Sequence, residues 1–406
     1  MAVKIVRQAS SIALLGVPTS AAAMSGGHEA APSALRSAGL IDRLKAVGYQ
    51  VNDLGDDSPR LFKPDEESPR ARNLASILAM LETLKPRVEQ AVKSGALPVI
   101  ISGDCSVALA VIAGARRYYR NIGLIYMDRD ADFNTPATTP SGCVDGMVVA
   151  HLTGRGAAEL VRFWGEPPLV REPDLALFGV DRLDPSEEEA LARSPLRRYM
   201  AADVKRKGAA AAAREAIERV HGNTHEFVLH FDVDVISDFG ATNYPGSGGL
   251  MLDDVREALE IFVQEKNLAA IEVTAYNPEK DPDGSGAKMI IDLLASVLET
   301  RLEALRSAPS AAAGAAQEAA ATSQGAAEAA TAKGPAEPAT EADSAMPLPV
   351  AAPGETWSSD SLDSEFAAVS DSNPGNEDSP NGGSASAEEP GEASAKPTQE
   401  ADESQS

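Results

Sequence analysis

Five aspartates directly follow two apolar segments of the sequence and alternate with other residues. They are Asp128, Asp130, Asp132, Asp232 and Asp234. Alternate residues of an extended chain point to the same side, so each motif can direct its carboxylates into one space. Two carboxylates about 4 Å apart repel by roughly 4 kcal/mol at an effective dielectric constant of about 20, so five ionised groups require a compensating cation. Carboxylate oxygens suit Mn, Mg or Ca, and a pair of metal ions needs bridging carboxylates of this kind.

A purely structural role is the competing explanation, because aspartate also caps helices and turns. This explanation accounts most easily for Asp132 and Asp234. A third apolar segment ends at Ser102 and is followed by Cys105. Cys105 either adds a thiolate to the same space or packs as a small apolar residue. None of the five histidines has the spacing of metal ligands, so each is expected to be structural or solvated, although His230 lies close to Asp232.

The elements that position these residues are predicted from apolar runs alternating with amphipathic segments. Eight strands are predicted, at residues 12–17, 49–54, 97–102, 122–127, 174–180, 198–201, 226–231 and 268–276. Helices are predicted between them, among others at 74–94, 106–117, 187–192, 208–220, 253–265 and 287–306. This alternation is typical of a parallel sheet covered by helices, the α/β class, in which ligands bind outside the carboxyl ends of the strands.

Composition separates the chain into two regions. Residues 1–306 form the predicted domain, whereas residues 307–406 are rich in Ala, Ser, Glu and Pro and contain 18 acids and 2 bases. Such a segment buries too little apolar surface to offset its ordering entropy, so this tail is predicted to be disordered. The net charge of −25 disfavours nucleic acid and anionic membranes as partners. Two cysteines suit a reducing compartment, which favours the cytosol, and no apolar run reaches the ~20 residues of a membrane helix.

The order of these motifs resembles the arginase family, the ureohydrolases that include arginase, agmatinase and formimidoylglutamase. The family pattern Gly-Gly-Asp-His-Ser appears as Ser102-Gly-Asp-Cys-Ser106. Its Asp-Ala-His-Ala-Asp-x-Asn-Thr-Pro appears as Asp128-Arg-Asp-Ala-Asp-Phe-Asn-Thr-Pro136, and its Ser-x-Asp-x-Asp appears as His230-Phe-Asp-Val-Asp234. The matches occur in family order across roughly residues 10 to 300, so the resemblance covers the whole predicted domain.

The resemblance implies a three-layer α/β domain with an eight-stranded, mostly parallel sheet and helices on both faces. It also implies two divalent ions, manganese in the family, that activate water for attack on a guanidinium carbon and release urea and an amine. By position, Cys105, Asp128, Asp132 and Asp232 would bind the first ion, and Asp128, Asp130, Asp232 and Asp234 the second. Relatives are commonly trimers or hexamers, so a homo-oligomer is expected.

Three departures fall at the implied site. Cys105 and Asp130 replace metal-binding histidines, and Asp145 replaces a histidine that transfers protons. Added carboxylates favour hard ions while a thiolate favours softer ones, which leaves the identity of the metal open. Asp130 or Asp145 would handle protons, the latter if neighbouring anions raise its pKa. An ordinary turn role for Asp145, directly before a glycine, is the alternative.

The substrate end of the implied site is partly retained. Asn134, Ser141, Asp184 and Glu187 match positions that contact the amino-acid end of the substrate in arginases. The sequence Asp184-Pro-Ser-Glu187 also has the pattern of a helix capping box, and both roles are compatible. In contrast, Ala275 stands where the family glutamate holds the guanidinium group. Glu272 lies three residues earlier, which points it to the other face of a regular strand, so a structural role is expected.

Two functions follow from these observations. The first is a metal-dependent hydrolase of a guanidino or amidine C–N bond in a small amino-acid-like substrate, with arginine the leading choice. The second is a catalytically silent homologue that binds a ligand or a partner, which the lost histidines and Ala275 favour. A family enzyme with changed chemistry would share the metal site but not the urea product.

Deletion of residues 310–406 is expected to leave the melting temperature of the domain nearly unchanged, because a disordered tail contributes no packing to it. Differential scanning calorimetry of the full and shortened chains tests this. A large drop in melting temperature would show that the tail packs on the domain.

Overall fold

The computed structural model describes residues 5–222 and 224–307. Apart from Ser307, the predicted tail therefore lies outside the described residues. Eight strands are present: β1 (Ser11–Val17), β2 (Gln50–Asp56), β3 (Leu97–Ser102), β4 (Ile122–Met127), β5 (Leu175–Val180), β6 (Arg197–Met200), β7 (Glu226–Asp232) and β8 (Leu268–Thr274). They form one parallel sheet in the order β2-β1-β3-β8-β7-β4-β5-β6, which confirms the predicted α/β fold.

The helices connect these strands. They are α1 (Ala31–Ser37), α2 (Leu40–Ala46), α3 (Leu74–Lys93), α4 (Ala108–Ala115), α5 (Val148–Leu152), α6 (Ala158–Arg162), α7 (Pro185–Ala192), α8 (Ala201–Lys207), α9 (Ala209–His221), α10 (Leu252–Gln264) and α11 (Ser285–Ser307). All six predicted helices are present, with ends that differ by one or two residues. In the described part of the chain, no helix combines the length and apolar character needed to cross a membrane.

Two hydrophobic cores lie on opposite faces of the sheet. In β3, Val99 and Ile101 belong to one core and Ile100 to the other, as the alternation of strand side chains requires. Helices α3 and α4 contribute to the core that contains Ile100, whereas α10 and α11 contribute to the other. Helices therefore cover both faces, and the predicted three-layer arrangement is confirmed. Burial on both faces also explains why the inner strands read as continuous apolar runs.

The carboxyl edge of the sheet brings the acidic motifs together. Strands β4 and β7 are neighbours and pair Met127 with Phe231, so the next residue of each strand, Asp128 and Asp232, lies at the same level. The loop after β3 reaches this edge because Gly103 packs against the backbone of Thr19, where an added Cβ would lie 1.7 Å from the carbonyl oxygen. A side chain at position 103 is therefore excluded.

Strand β8 ends two residues earlier than predicted. Ala275 has a left-handed backbone with φ of 67°, which ends the regular strand after Thr274. The amide of Ala275 then donates to the carbonyl oxygen of Gly103 at 3.0 Å. This bond ties the end of β8 to the loop that carries Cys105.

Candidate metal centre

All eleven side chains proposed for the site line one cavity of about 580 Å³ at the carboxyl edge of the sheet. They are Cys105, Asp128, Asp130, Asp132, Asn134, Ser141, Asp145, Asp184, Glu187, Asp232 and Asp234. Their sequence positions span 130 residues, so it is the strand order that collects them. The cavity is also lined by Arg182 and Tyr244, which the sequence analysis did not identify.

One group of potential metal ligands surrounds Asp232. Single donor atoms of Cys105, Asp128, His230 and Asp232 all lie within 4.8 Å of one another. The thiol of Cys105 donates to Asp232 Oδ2 at 3.1 Å. All four side chains are buried. This group includes His230, which was expected to be structural or solvated, in place of Asp132.

A second group consists of Asp128, Asp130 and Asp234, whose donor oxygens also lie within 4.8 Å of one another. Two of its acids are already paired with arginine. Arg182 donates to both carboxylate oxygens of Asp130, and Arg129 Nη2 lies 3.3 Å from Asp234 Oδ2. Two arginines of the chain therefore partly neutralise the second group. These two ion pairs do not involve Cys105, His230 or Asp232 of the first group.

In each Asp-x-Asp motif, the first carboxylate accepts a hydrogen bond from the amide of the second aspartate. Asp128 Oδ1 accepts from the amide of Asp130 at 2.7 Å, and Asp232 Oδ1 accepts from the amide of Asp234 at the same distance. Asp234 lies in the short 3-10 turn Val233–Val235. The predicted convergence is therefore observed, but at Asp232 and Asp234 it depends on a turn and not on the extended backbone that the prediction assumed.

Asp132 is set apart from both groups. Its backbone is left-handed, with φ of 48°, and its carboxylate accepts from the hydroxyl of Tyr126 at 2.5 Å. It still lines the cavity, and its proposed role as a metal ligand rests on the resemblance to the family.

Burial and mutual repulsion act against ionisation of these acids. Burial raises the pKa values of Asp128, Asp132 and Asp232 well above the ordinary range, and the neighbouring carboxylates raise them further. Burial, with repulsion from Asp130, raises the pKa of Asp234 to about 6, although Arg129 opposes this. Burial and the surrounding acids also raise the pKa of the Cys105 thiol. A cation would reverse these shifts, since it stabilises the charged form of every ligand.

The donor set fits a divalent ion. In the described residues, Nε2 of His230 and Oδ1 of Asp234 are buried and have no hydrogen-bond partner. Leaving such atoms unpaired in the interior costs free energy, so each is suited to a ligand from outside the chain. Thiol sulphur, imidazole nitrogen and carboxylate oxygen are all established ligands of divalent metals.

Asp145 lies beside the first group and is suited to proton transfer. Its carboxylate accepts from the amide of Cys105 at 2.8 Å and from the hydroxyl of Tyr244 at 2.9 Å. Burial, with repulsion from Asp104, raises its pKa to about 7. A carboxyl group with such a pKa is present in both forms at neutral pH and can donate or accept a proton.

Three of the four proposed substrate residues, Asn134, Asp184 and Glu187, form one hydrogen-bonded network at the cavity wall, and Ser141 lies in a separate turn. Asn134 Nδ2 donates to Asp184 Oδ2 at 2.8 Å, and Glu187 accepts from the amides of Phe133 and Asp184. Asp184 and Glu187 form the capping box of α7, so the predicted structural role of this motif is confirmed. Ser141 Oγ accepts from the amide of Cys143 at 3.1 Å. The network presents these side chains to the cavity in fixed positions.

Replacement of Asp232 by Asn is expected to abolish the stabilisation by metal while leaving the metal-free protein as stable as before or more so. The variant loses one buried negative charge, which relieves repulsion, but it also loses a ligand shared by the cluster. For the wild type, metal at about 100 times its Kd should add roughly 2.7 kcal/mol to the free energy of unfolding. Denaturant titration with and without metal measures both effects.

The matched control is Asp42→Asn, since Asp42 is an exposed acid of α2 outside the cavity. It should respond to metal as the wild type does. An Asp232→Asn protein that gains the same stability from metal as the wild type would remove Asp232 from the centre.

Comparison with known proteins agrees with this geometry. The family model for the arginase family matches residues 10–299. The arginase of Bacillus caldovelox is 30% identical over 297 residues, which is 72% of this chain and 99% of the relative. Among solved structures, the arginase of Bacillus subtilis superposes with a TM-score of 0.65 at 28% identity, covering 71% of this chain and 98% of that one. The arginase of Entamoeba histolytica in complex with L-ornithine gives a TM-score of 0.66 at 25% identity, covering 73% and 99%.

The family match covers most of the domain, and the relatives are aligned along nearly their whole length. The parallel sheet and the acidic carboxyl edge are where the resemblance of the motifs predicts them. The chain belongs to the arginase family.

Proposed function

We propose that this protein is a metal-dependent hydrolase of a guanidino or amidine C–N bond in a small amino-acid-like substrate. Arginine, which would give ornithine and urea, is the first substrate to test, because several similar proteins are arginases. The observation that carries the proposal is the convergence of potential metal ligands, a proton carrier and substrate-binding side chains on one cavity of about 580 Å³.

The proposed metal ligands are Cys105, Asp128, Asp130, Asp132, Asp232 and Asp234. Two divalent ions are proposed by analogy with the family, and the all-oxygen group of Asp128, Asp130 and Asp234 suits manganese. Such ions supply Lewis acidity and activate water for hydrolysis. The chain contributes the positions of the carboxylates and a buried, low-dielectric environment that strengthens their interaction with cations.

The charge of the cavity favours a cationic substrate group. Seven aspartates and Glu187 line it, and a guanidinium or amidinium ion is attracted to such a surface. At the wall, we propose that Asp184 accepts from the α-ammonium group of the substrate and that Asn134 and Ser141 donate to its carboxylate, with Glu187 acting through the network. These partners favour an α-amino acid over agmatine, which lacks the carboxylate.

Proton transfer is proposed for Asp145, assisted by Asp130. Asp145 replaces the family histidine, and its pKa of about 7 lets a carboxyl group take over the task of an imidazole at neutral pH. Tyr244 and the amide of Cys105 hold this carboxyl group in place. The leaving amine would receive its proton from Asp145.

The alternative, a catalytically silent homologue, rests on the two ion pairs of the second group. Arg182 and Arg129 neutralise Asp130 and Asp234 without any metal. While Arg182 and Arg129 occupy these two acids, the cavity can bind an amino acid but does not hold a second metal ion.

We further propose a homo-oligomer, trimer or hexamer by analogy with the family, in the cytosol. Cys105 and Cys143 are both free thiols, which suits a reducing compartment. No nucleic-acid or membrane partner is proposed, given the net charge of −25.

The full chain loaded separately with Mn, Co, Zn, Fe and Mg is expected to release urea from arginine faster than from agmatine. Formimidoylglutamate is the third substrate, and mass spectrometry measures the released amine together with urea from the first two substrates or formamide from the third. Asp232→Asn should abolish turnover, while the exposed-site control Asp42→Asn should retain it. Metal-loaded protein that turns over none of these substrates but binds arginine would favour the silent homologue.

Asp145→Asn is expected to lower kcat by about 10²- to 10⁴-fold, because the amide has the same size and can still accept from the amide of Cys105 but carries no transferable proton. Metal content, measured by elemental analysis, should stay at the wild-type value. Asp145→His, which introduces the residue type of the family, should retain more activity than Asp145→Asn. Full activity of Asp145→Asn would contradict the assignment.

A further inference from the structure

We propose that Cys105, Asp128, His230 and Asp232 form a high-affinity position for zinc or a zinc-like ion, with His230 as a ligand that the family motif lacks. The inference rests on the proposed function only in placing metal at this cavity. It differs in the donor set, in the preferred metal and in the number of tightly bound ions.

The first support is the free nitrogen of His230. Its ring is fully buried, Nδ1 lies 3.0 Å from Glu272 Oε2, and Nε2 has no partner among the residues described. The carboxylate of Glu272 accepts a hydrogen bond from Nδ1–H of the ring, so in this tautomer Nε2 carries a free lone pair. That tautomer is the one that binds metal, and a carboxylate behind the imidazole is the usual arrangement around metal-bound histidine.

The second support is the rigidity of this histidine. Its ring stacks on Tyr126 with centroids 4.0 Å apart and planes at 1°. Glu272 is held in turn by Ser102, whose hydroxyl donates to Oε1 at 2.9 Å. The orientation of the ring is therefore set by the strands on both sides. This also gives the buried Glu272 its structural role.

The third support is the chemistry of the donor set. The thiol of Cys105 donates a hydrogen bond to Asp232 Oδ2, and the two atoms are 3.1 Å apart. An ion that replaces the thiol proton can therefore bind both atoms where they lie. Zinc is bound tetrahedrally at ~2.0 to 2.3 Å, which separates its ligands by roughly 3.3 to 3.8 Å. The four donor atoms here lie within 4.8 Å of one another, so only small contractions are required. One sulphur, one nitrogen and two oxygens favour zinc or cobalt over manganese.

The fourth support is the contrast with the second group. An ion at Asp128, Asp130 and Asp234 must displace Arg182 from an oxygen of Asp130 and must share the carboxylate of Asp234 with the cation Arg129, which is bonded to its other oxygen. The pair of Arg129 and Asp234 is buried, with 4% and 2% of the side chains exposed, so solvent does not weaken it. Metal binding is therefore expected to be unequal, with one tight ion at the Cys105 position and weak binding at the other.

The test is metal binding to the purified full chain, read by spectroscopy and by affinity. Wild type should retain one equivalent of zinc after dialysis. Its cobalt form should show a thiolate-to-cobalt charge-transfer band and the intense visible bands of tetrahedral cobalt. His230→Ser, which introduces the family residue, should bind zinc at least about 100-fold more weakly. Cys105→Ser should lose the charge-transfer band.

Two control variants separate this position from its surroundings. Cys143→Ser removes the other thiol that lines the cavity and should keep the charge-transfer band. Asp130→Asn alters the second group and should keep the tight zinc equivalent. Unchanged zinc affinity in His230→Ser, or a tight equivalent lost in Asp130→Asn, would overturn the proposal.

X-ray absorption at the zinc edge of the wild type provides a measurement that needs no variant. A first shell containing one sulphur at ~2.3 Å and an imidazole nitrogen at ~2.0 Å is expected. A shell of oxygen atoms only would overturn the proposal. These readouts do not depend on turnover. An inactive protein whose zinc is bound by sulphur and nitrogen would contradict only the proposed hydrolase. An active protein whose zinc is bound by oxygen atoms alone would contradict only this inference.

Discussion

The structure depends on the repulsion between carboxylates buried at the carboxyl edge of the sheet. Pairing of β4 with β7 brings Asp128 beside Asp232, and neither can move away without breaking the sheet. Their charge must therefore be offset locally. The chain does so with backbone amides at both aspartates, with the thiol of Cys105 at Asp232 and with two arginines at the second group. These partners do not fully offset the negative charge around Cys105 and Asp232, so a cation would act most strongly there.

Much of the fold was predictable because burial dictates composition. The inner strands are covered on both faces, so each reads as a continuous apolar run, and the longer helices carry a clear apolar face. The five-residue helices α5 and α6 are too short to show a period and were not predicted. The end of β8 was misplaced because the left-handed backbone of Ala275 depends on a bond to Gly103, far away in the sequence. Local pattern holds no information about such a contact.

The site was predicted in its position but not in all its members. Acids after strands mark the carboxyl edge, and this rule found five of the seven aspartates that line the cavity, whereas Asp145 and Asp184 were identified by the resemblance to the family. His230 was missed although a signal was present: β7 is regular through Asp232, so alternation places His230 and Asp232 on one side. The same rule was applied to Asp232 and Asp234, where the chain turns and the rule does not hold. Arg182 could not be found, since its pairing with Asp130 joins two loops 52 residues apart.

The departures from the family motif are accompanied in this chain by contacts that compensate for them. Cys105 removes an imidazole from the loop after β3, and His230 restores one on β7 within 4.8 Å of the same sulphur. Asp130 replaces another imidazole by a negative charge, and Arg182 pairs with that charge. Asp145 replaces a third imidazole, and burial raises the pKa of Asp145 to about 7, close to the pKa of the imidazole that it replaces. A buried charge without a partner costs several kcal/mol. In this cavity a buried imidazole, an arginine partner and a carboxyl group with a raised pKa lie at or beside the places of the three replaced histidines, and these contacts support the proposed metal centre.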